Sequence, residues 1–125
     1  MRTSGILMHI TSLPSPYGVG TMGSEAYKFV DFLKKAGQSY WQILPLTPTG
    51  YGDSPYQSCS TFAGNHYLID LDRLVEDGLL TQADLEGIQW NVTDDKADFG
   101  LLYRNRLNVL RKAYARFTPG KDYTC

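Results

Sequence analysis

Tyr51, Asp53, Ser54 and Tyr56 stand close together in the segment Leu46 to Asn65, LTPTGYGDSPYQSCSTFAGN. A tyrosine face covers apolar C–H patches while its hydroxyl makes hydrogen bonds, and a neighbouring carboxylate and serine add polar partners. That set suits a neutral, hydroxyl-rich ligand such as a sugar. The same residues also have structural readings. Tyr51 and Tyr56 read equally well as side chains that pack the loop, Asp53 in Gly52-Asp53-Ser54-Pro55 as a turn former, and Phe62 as the ring that packs the loop onto the strand ends. Glycoside chemistry asks for two carboxyl groups, about 5–5.5 Å apart in retaining enzymes. The segment carries one, Asp53, and neither Asp70 nor Asp72 offers an obvious pair. The expectation is substrate binding without a complete set of catalytic groups.

Other motifs carry less. Gly18-Val19-Gly20-Thr21-Met22-Gly23 is a literal G-x-G-x-x-G. A dinucleotide fingerprint needs its first glycine directly off the strand and an acidic residue about twenty positions on. Here Thr11 to Tyr17 intervene and the later position is apolar, so the motif reads as a loop feeding a helix. His9 and His66 have no metal-ligand spacing; His9 is expected in a strand interior and His66 on a loop surface. Neither a metal nor a cofactor is indicated. Arg104, Arg106, Arg111, Lys112 and Arg116 read as a solvated helix face.

The chain has 125 residues and a net charge of −1, enough for one domain and without the basic excess that nucleic acid or an anionic membrane would demand. Its cysteines, Cys59 and Cys125, are too few for a disulfide framework, which favours a reducing compartment. No signal peptide or spanning run is visible, and a cytoplasmic location is the expectation.

The elements that would position the loop are legible from periodicity. Gly5 to Ile10 is an apolar run expected as a strand buried on both faces, as in a parallel sheet. Ser24 is the expected N-cap of a helix carrying Ala26, Phe29, Val30, Leu33 and Ala36, stopped at Gly37. Tyr40 to Pro45 supplies a second strand, completing a βαβ unit whose strands should be parallel. Beyond the loop, Tyr67 to Leu71 reads as strand or extended chain, and Asp72 as the cap of a short helix ending at Gly78. Thr81 and Asp84 form a capping box. A last helix runs to Phe117 with Tyr103, Leu107, Leu110, Tyr114 and Phe117 on one face. Two strands do not close a parallel sheet, so the chain reads as the leading piece of something larger.

Three blocks in order carry a family resemblance: Ser4 to Ser15, SGILMHITSLPS; Trp41 to Leu46, WQILPL; and Gly52 to Asn65, GDSPYQSCSTFAGN. Together they resemble the amylomaltases, the 4-α-glucanotransferases or disproportionating enzymes. The resemblance implies an α/β fold, the leading βαβ part of a (β/α)₈ barrel of the α-amylase type with strands at Gly5–Ile10 and Tyr40–Leu44. Residues 1–69 would form the first two βα units and residues 70–125 the start of a helical insertion. It implies transfer of α-1,4-glucan segments between maltooligosaccharides by a retaining double displacement. Tyr56 would contact the sugar near the scissile bond, Tyr51 would be an outer aromatic site, and Ser54 would shape the acceptor region. The catalytic carboxylates would lie on later strands, outside this chain. The family usually reads Ala-Gly-Asn-Pro where this chain reads Ala63-Gly64-Asn65-His66, which frees a backbone N–H and relaxes the restriction on Asn65.

Overall fold

The computed structural model describes residues 1–50, 52–93 and 95–120. Strands β1 (Gly5–Leu7) and β2 (Tyr40–Gln42) flank helix α1 (Ser24–Lys35), and helices α2 (Leu71–Glu76), α3 (Gln82–Leu85) and α4 (Phe99–Arg116) follow the long loop. The strands pair in parallel, with Ile6 opposite Trp41. The βαβ unit is therefore present, with shorter strands than the apolar runs suggest.

Burial on both faces of the first strand is not observed. Gly5, Ile6 and Leu7 are all exposed. Only β2 pairs with β1 among the described residues, and a two-stranded sheet leaves most of its surface open. Past Leu7 the chain turns into a 3₁₀ segment at Ile10–Ser12.

Helix α1 ends as its sequence demands. Gly37, at φ +69°, donates to the Lys34 carbonyl and Gln38 to the Leu33 carbonyl, the paired bonds of a Schellman stop. Its start differs from expectation, because Gly23 is the cap and Ser24 the first helical residue. No larger residue fits at that cap: a Cβ at position 23 would lie 2.2 Å from Asp70 Oδ2. Of its apolar side chains, Leu33 is buried and Ala26 and Phe29 half-buried, whereas Val30 and Ala36 stay exposed. Phe29 meets Trp41 edge-on at 4.9 Å, and around them Ile10, Leu13 and Leu68 form a small core.

A larger core lies between the loops and the later helices, built on Val19, Tyr67, Leu71, Trp90, Leu102 and Val109. Three expectations are corrected there. Of the stretch expected as strand or extended chain, Tyr67 and Leu68 lie in a 3₁₀ turn (His66–Leu68), Leu71 opens α2, and only Ile69 and Asp70 are extended. Asp70, not Asp72, stands at the N-cap of α2. The face that α4 buries is Leu102, Arg106, Val109 and Ala113, while Tyr103 and Tyr114 face solvent. The Thr81–Asp84 capping box is formed, Thr81 donating its backbone N–H and hydroxyl to Asp84 Oδ2 at 3.0 and 2.9 Å. Among the described residues no helix is long and apolar enough to cross a membrane.

Candidate functional site

Parallel pairing puts the carboxyl ends of β1 and β2 on the same side, where α/β proteins place their ligand loops. The two connections that leave those ends are stitched together. His9 Nδ1 accepts the Leu44 N–H at 3.3 Å, Trp41 Nε1 donates to the Met8 carbonyl at 2.7 Å, and Met22 N–H donates to the Leu68 carbonyl at 3.0 Å. His9 is thus a half-buried frame residue that accepts at Nδ1. Burial lowers its pKa and favours the neutral ring.

The loop from Leu46 to Asn65 closes at its neck, where Asn65 N–H donates to the Leu46 carbonyl at 2.9 Å. Inside it, Thr49 bridges Ser58 antiparallel, Gly50 N–H donates to the Gln57 carbonyl, and Gln57 N–H donates to the Ser54 carbonyl. Ser60 Oγ accepts from Phe62 and Ala63. The loop therefore satisfies much of its backbone internally, the hallmark of an ordered Ω-type loop.

Its candidate residues sit as follows. Tyr56 is 75% exposed, its ring free to meet a ligand. Ser54 is half-buried at the turn that presents it. Asp53 is exposed and takes φ +56°, the left-handed region that few residues other than glycine adopt. Tyr51 lies outside the described residues. Phe62, expected to pack the loop down, is 100% exposed.

Asp53 opens on a shallow cleft of about 520 Å³ with Thr93, Lys96, Asp98 and Phe99 on its far wall. A second cleft, about 350 Å³, runs from there between Ser12, Ser15 and the segment around Asn91 and Lys96. Tyr67 packs behind, edge-on to Phe99 at 5.8 Å. Burial raises the Tyr67 pKa, and the Asp53 charge raises it further. Asp53 is the one carboxyl group of the loop, and Asp98 lines the same cleft. Among the described residues no cluster of three His, Cys, Asp or Glu could hold a metal ion.

The glycines of the G-x-G-x-x-G stretch serve packing. A Cβ at Gly20 would fall 2.1 Å from the Ile10 carbonyl oxygen, so the loop folds against the 3₁₀ segment that follows β1. His66 is half-buried rather than on the surface. Its Nε2 is buried without a partner, and its pKa is lowered by burial and then by Arg106. Arg106 itself is fully buried, not solvated. Its helical spacing from Leu102, Val109 and Ala113 was the available signal.

Two parallel strands whose following loops converge on one rim define the ligand-binding part of an α/β protein. The chain belongs to the 4-alpha-glucanotransferase family, whose profile matches residues 8–124. A 4-alpha-glucanotransferase of Streptococcus pneumoniae is 56% identical over 116 residues, covering 93% of this chain and 23% of the relative. That of Thermus thermophilus is 54% identical over 116 residues, covering 93% and 22%. The solved amylomaltase from Streptococcus agalactiae in complex with acarbose superposes with a TM-score of 0.92 at 48% identity, over 98% of this chain and 25% of that one. The chain thus spans about a quarter of the length of the relatives it matches.

Proposed function

We propose that this chain supplies the donor- and acceptor-positioning loop of a 4-α-glucanotransferase, which moves α-1,4-glucan segments between maltooligosaccharides. One observation carries the reading: Tyr56 stands 75% exposed on a hydrogen-bonded loop at the carboxyl end of a parallel βαβ unit. Family membership and the amylomaltase that resembles the chain, solved with acarbose, support an α-glucan as the ligand.

In this reading residues 1–69 are the first two βα units of a (β/α)₈ barrel, and residues 70–125 begin an insertion that decorates it. Tyr56 stacks on a sugar near the bond that breaks, Ser54 shapes the acceptor side, Asp53 orders the loop tip and contacts sugar hydroxyls, and Tyr51 is an outer aromatic platform. The nucleophile and the acid/base carboxyls belong to residues outside this chain. They form and resolve a glycosyl-enzyme intermediate with retention. The loop's share is orientation and exclusion of water, so that a glucan 4-hydroxyl rather than water captures the intermediate. We place the protein in the cytoplasm, a reading supported by its two cysteines.

A protein of full family length carrying this segment, incubated with maltotriose, is expected to yield glucose together with longer oligosaccharides. Glucose and maltose alone, the products of hydrolysis, would overturn the transferase reading.

A further inference from the structure

Arg106 has none of its surface exposed, 0%. Its guanidinium donates to two carbonyl oxygens, Tyr17 at 3.4 Å and Ile69. Those acceptors belong to different segments. Tyr17 stands on the connection after β1, and Ile69 follows the neck of the 46–65 loop by way of Asn65, whose side chain accepts from Tyr67 N–H at 2.9 Å.

This burial is poorly compensated. Among the described residues no carboxylate lies within ion-pair distance of Arg106, and Nε has no partner. Burial lowers its pKa to about 10, against the favourable field of Asp70 and Tyr67. On the stripe of Leu102, Val109 and Ala113, an apolar side chain of similar volume would match the packing, but it would leave the Tyr17 and Ile69 carbonyls without their donor. It could not hold two carbonyls at a set spacing, which the planar fork of arginine does. The restraint reaches the loop through its neck, since Asn65 caps the 3₁₀ turn that leads to Ile69 and donates its N–H to the Leu46 carbonyl.

We propose that Arg106 is a positioning residue for the sugar-contacting loop: its buried guanidinium, bonded to the carbonyls of Tyr17 and Ile69, fixes the loop neck against the connection after β1 so that Ser54 and Tyr56 are presented in one arrangement. The inference rests on the α-glucan reading of that loop. It assigns Arg106 no contact with substrate.

The test uses the full-length protein with Arg106→Met and Arg106→Lys, read by maltotriose kinetics, maltotriose calorimetry and thermal melting. Arg106→Met is expected to melt below the unsubstituted protein, because two carbonyls lose their donor, while kcat/KM of the folded variant falls about tenfold or more, mainly through KM, with an equal loss in Kd. Arg106→Lys, which keeps charge but not the fork, should fall between. An unchanged KM and Kd in Arg106→Met overturns the proposal, whatever its melting point. Should Arg106→Met not fold, Arg106→Lys decides: raised KM with little change in melting supports positioning, and lowered melting with unchanged KM leaves Arg106 purely structural. Failure of the unsubstituted protein to elongate maltotriose overturns the transferase reading alone, since calorimetry still compares the variants. Failure to bind maltotriose at all overturns both.

Discussion

Thr21 donates its hydroxyl to Asp70 Oδ1 at 2.9 Å, tying the connection after β1 to the first residue of the helical region. Gly23 presses on the same carboxylate, and the Met22–Leu68 backbone bond lies between them. The 46–65 loop lies between the two segments so joined, and its exit is fixed from this side. Thr21 is buried, so Thr21→Val keeps the shape and removes one bond to a carboxylate. The expected loss of stability is about 1–3 kcal/mol. Gly23→Ala should destabilise as well, because its Cβ needs the space that Asp70 fills. Urea unfolding of the full-length protein measures both, and a Thr21→Val midpoint equal to the unsubstituted one would show that the bond contributes nothing.

Tyr56 is the residue on which the proposed function stands. Its exposure means that truncation leaves folding within about 0.5 kcal/mol of the original. Loss of a ring that stacks on a sugar should remove on the order of 1.4 kcal/mol or more of transition-state binding, about tenfold in kcat/KM. Tyr56→Phe keeps the stacking face and is expected to recover most of that loss. Steady-state rates on maltotriose separate the two variants, and an Ala variant with full activity would exclude Tyr56 from the site.

Much of this arrangement was legible from local pattern. The βαβ unit, the Gly37 and Gly78 stops and the Thr81–Asp84 box all follow from periodicity and terminal chemistry that act over a few residues. What eluded the sequence was set by distant neighbours. Ser24 is a good cap in isolation, yet Gly23 takes the position, and Asp70, far along the chain, packs so closely that only glycine fits there. Arg106 looked like part of a solvated basic face because its charge outweighed its spacing, but the carbonyls of Tyr17 and Ile69 await it inside. Phe62 looked like a ring that packs the loop onto the strand ends, but it stands fully exposed after a serine turn. At the loop exit, Asn65 keeps φ −76° and ψ 116° without a following proline, held by its own side-chain bond to Tyr67.

Asp53 holds a left-handed backbone next to the residues that would touch sugar. Asp and Asn tolerate that region, glycine suits it, and a β-branched residue resists it by roughly 1–2 kcal/mol. Asp53→Gly and Asp53→Asn should therefore keep the loop, whereas Asp53→Val should lower both stability and kcat/KM. If Asp53→Gly and Asp53→Val lose activity equally, the carboxylate itself, rather than the backbone it permits, is what the site needs. Parallel kinetics and melting of the three variants distinguish these cases.

Asp84 gathers acid-side stability in the region of α3 and α4. Arg116 at 2.6 Å holds its carboxyl well below the usual carboxylate range, and the two Thr81 donors reinforce this. A folded pKa below the unfolded one contributes stability that is complete above about pH 3.9 and is lost as pH falls through the folded value. Asp84→Asn is thus expected to melt below the unsubstituted protein at pH 6, with the gap narrowing only under strongly acid conditions. A gap that closes already between pH 7 and pH 5 would assign the effect to another group.

His66 acts in the neutral range and through the opposite chemistry. Burial, helped by the nearby Arg106 charge, lowers its pKa, so the folded protein keeps the ring neutral where the unfolded chain would protonate it. Below about pH 6.5 the unfolded state therefore binds more protons, and stability declines as pH falls until the folded pKa is reached. Nε2 also has no partner, so His66→Leu removes a buried polar atom that nothing satisfies. At pH 8 the variant should match or exceed the unsubstituted protein in melting temperature, and its advantage should widen as pH drops toward 5. His9 shares the same direction, so some acid sensitivity will persist in the variant. An advantage that stays constant across that range would mean that His66 protonates as easily in the fold as outside it.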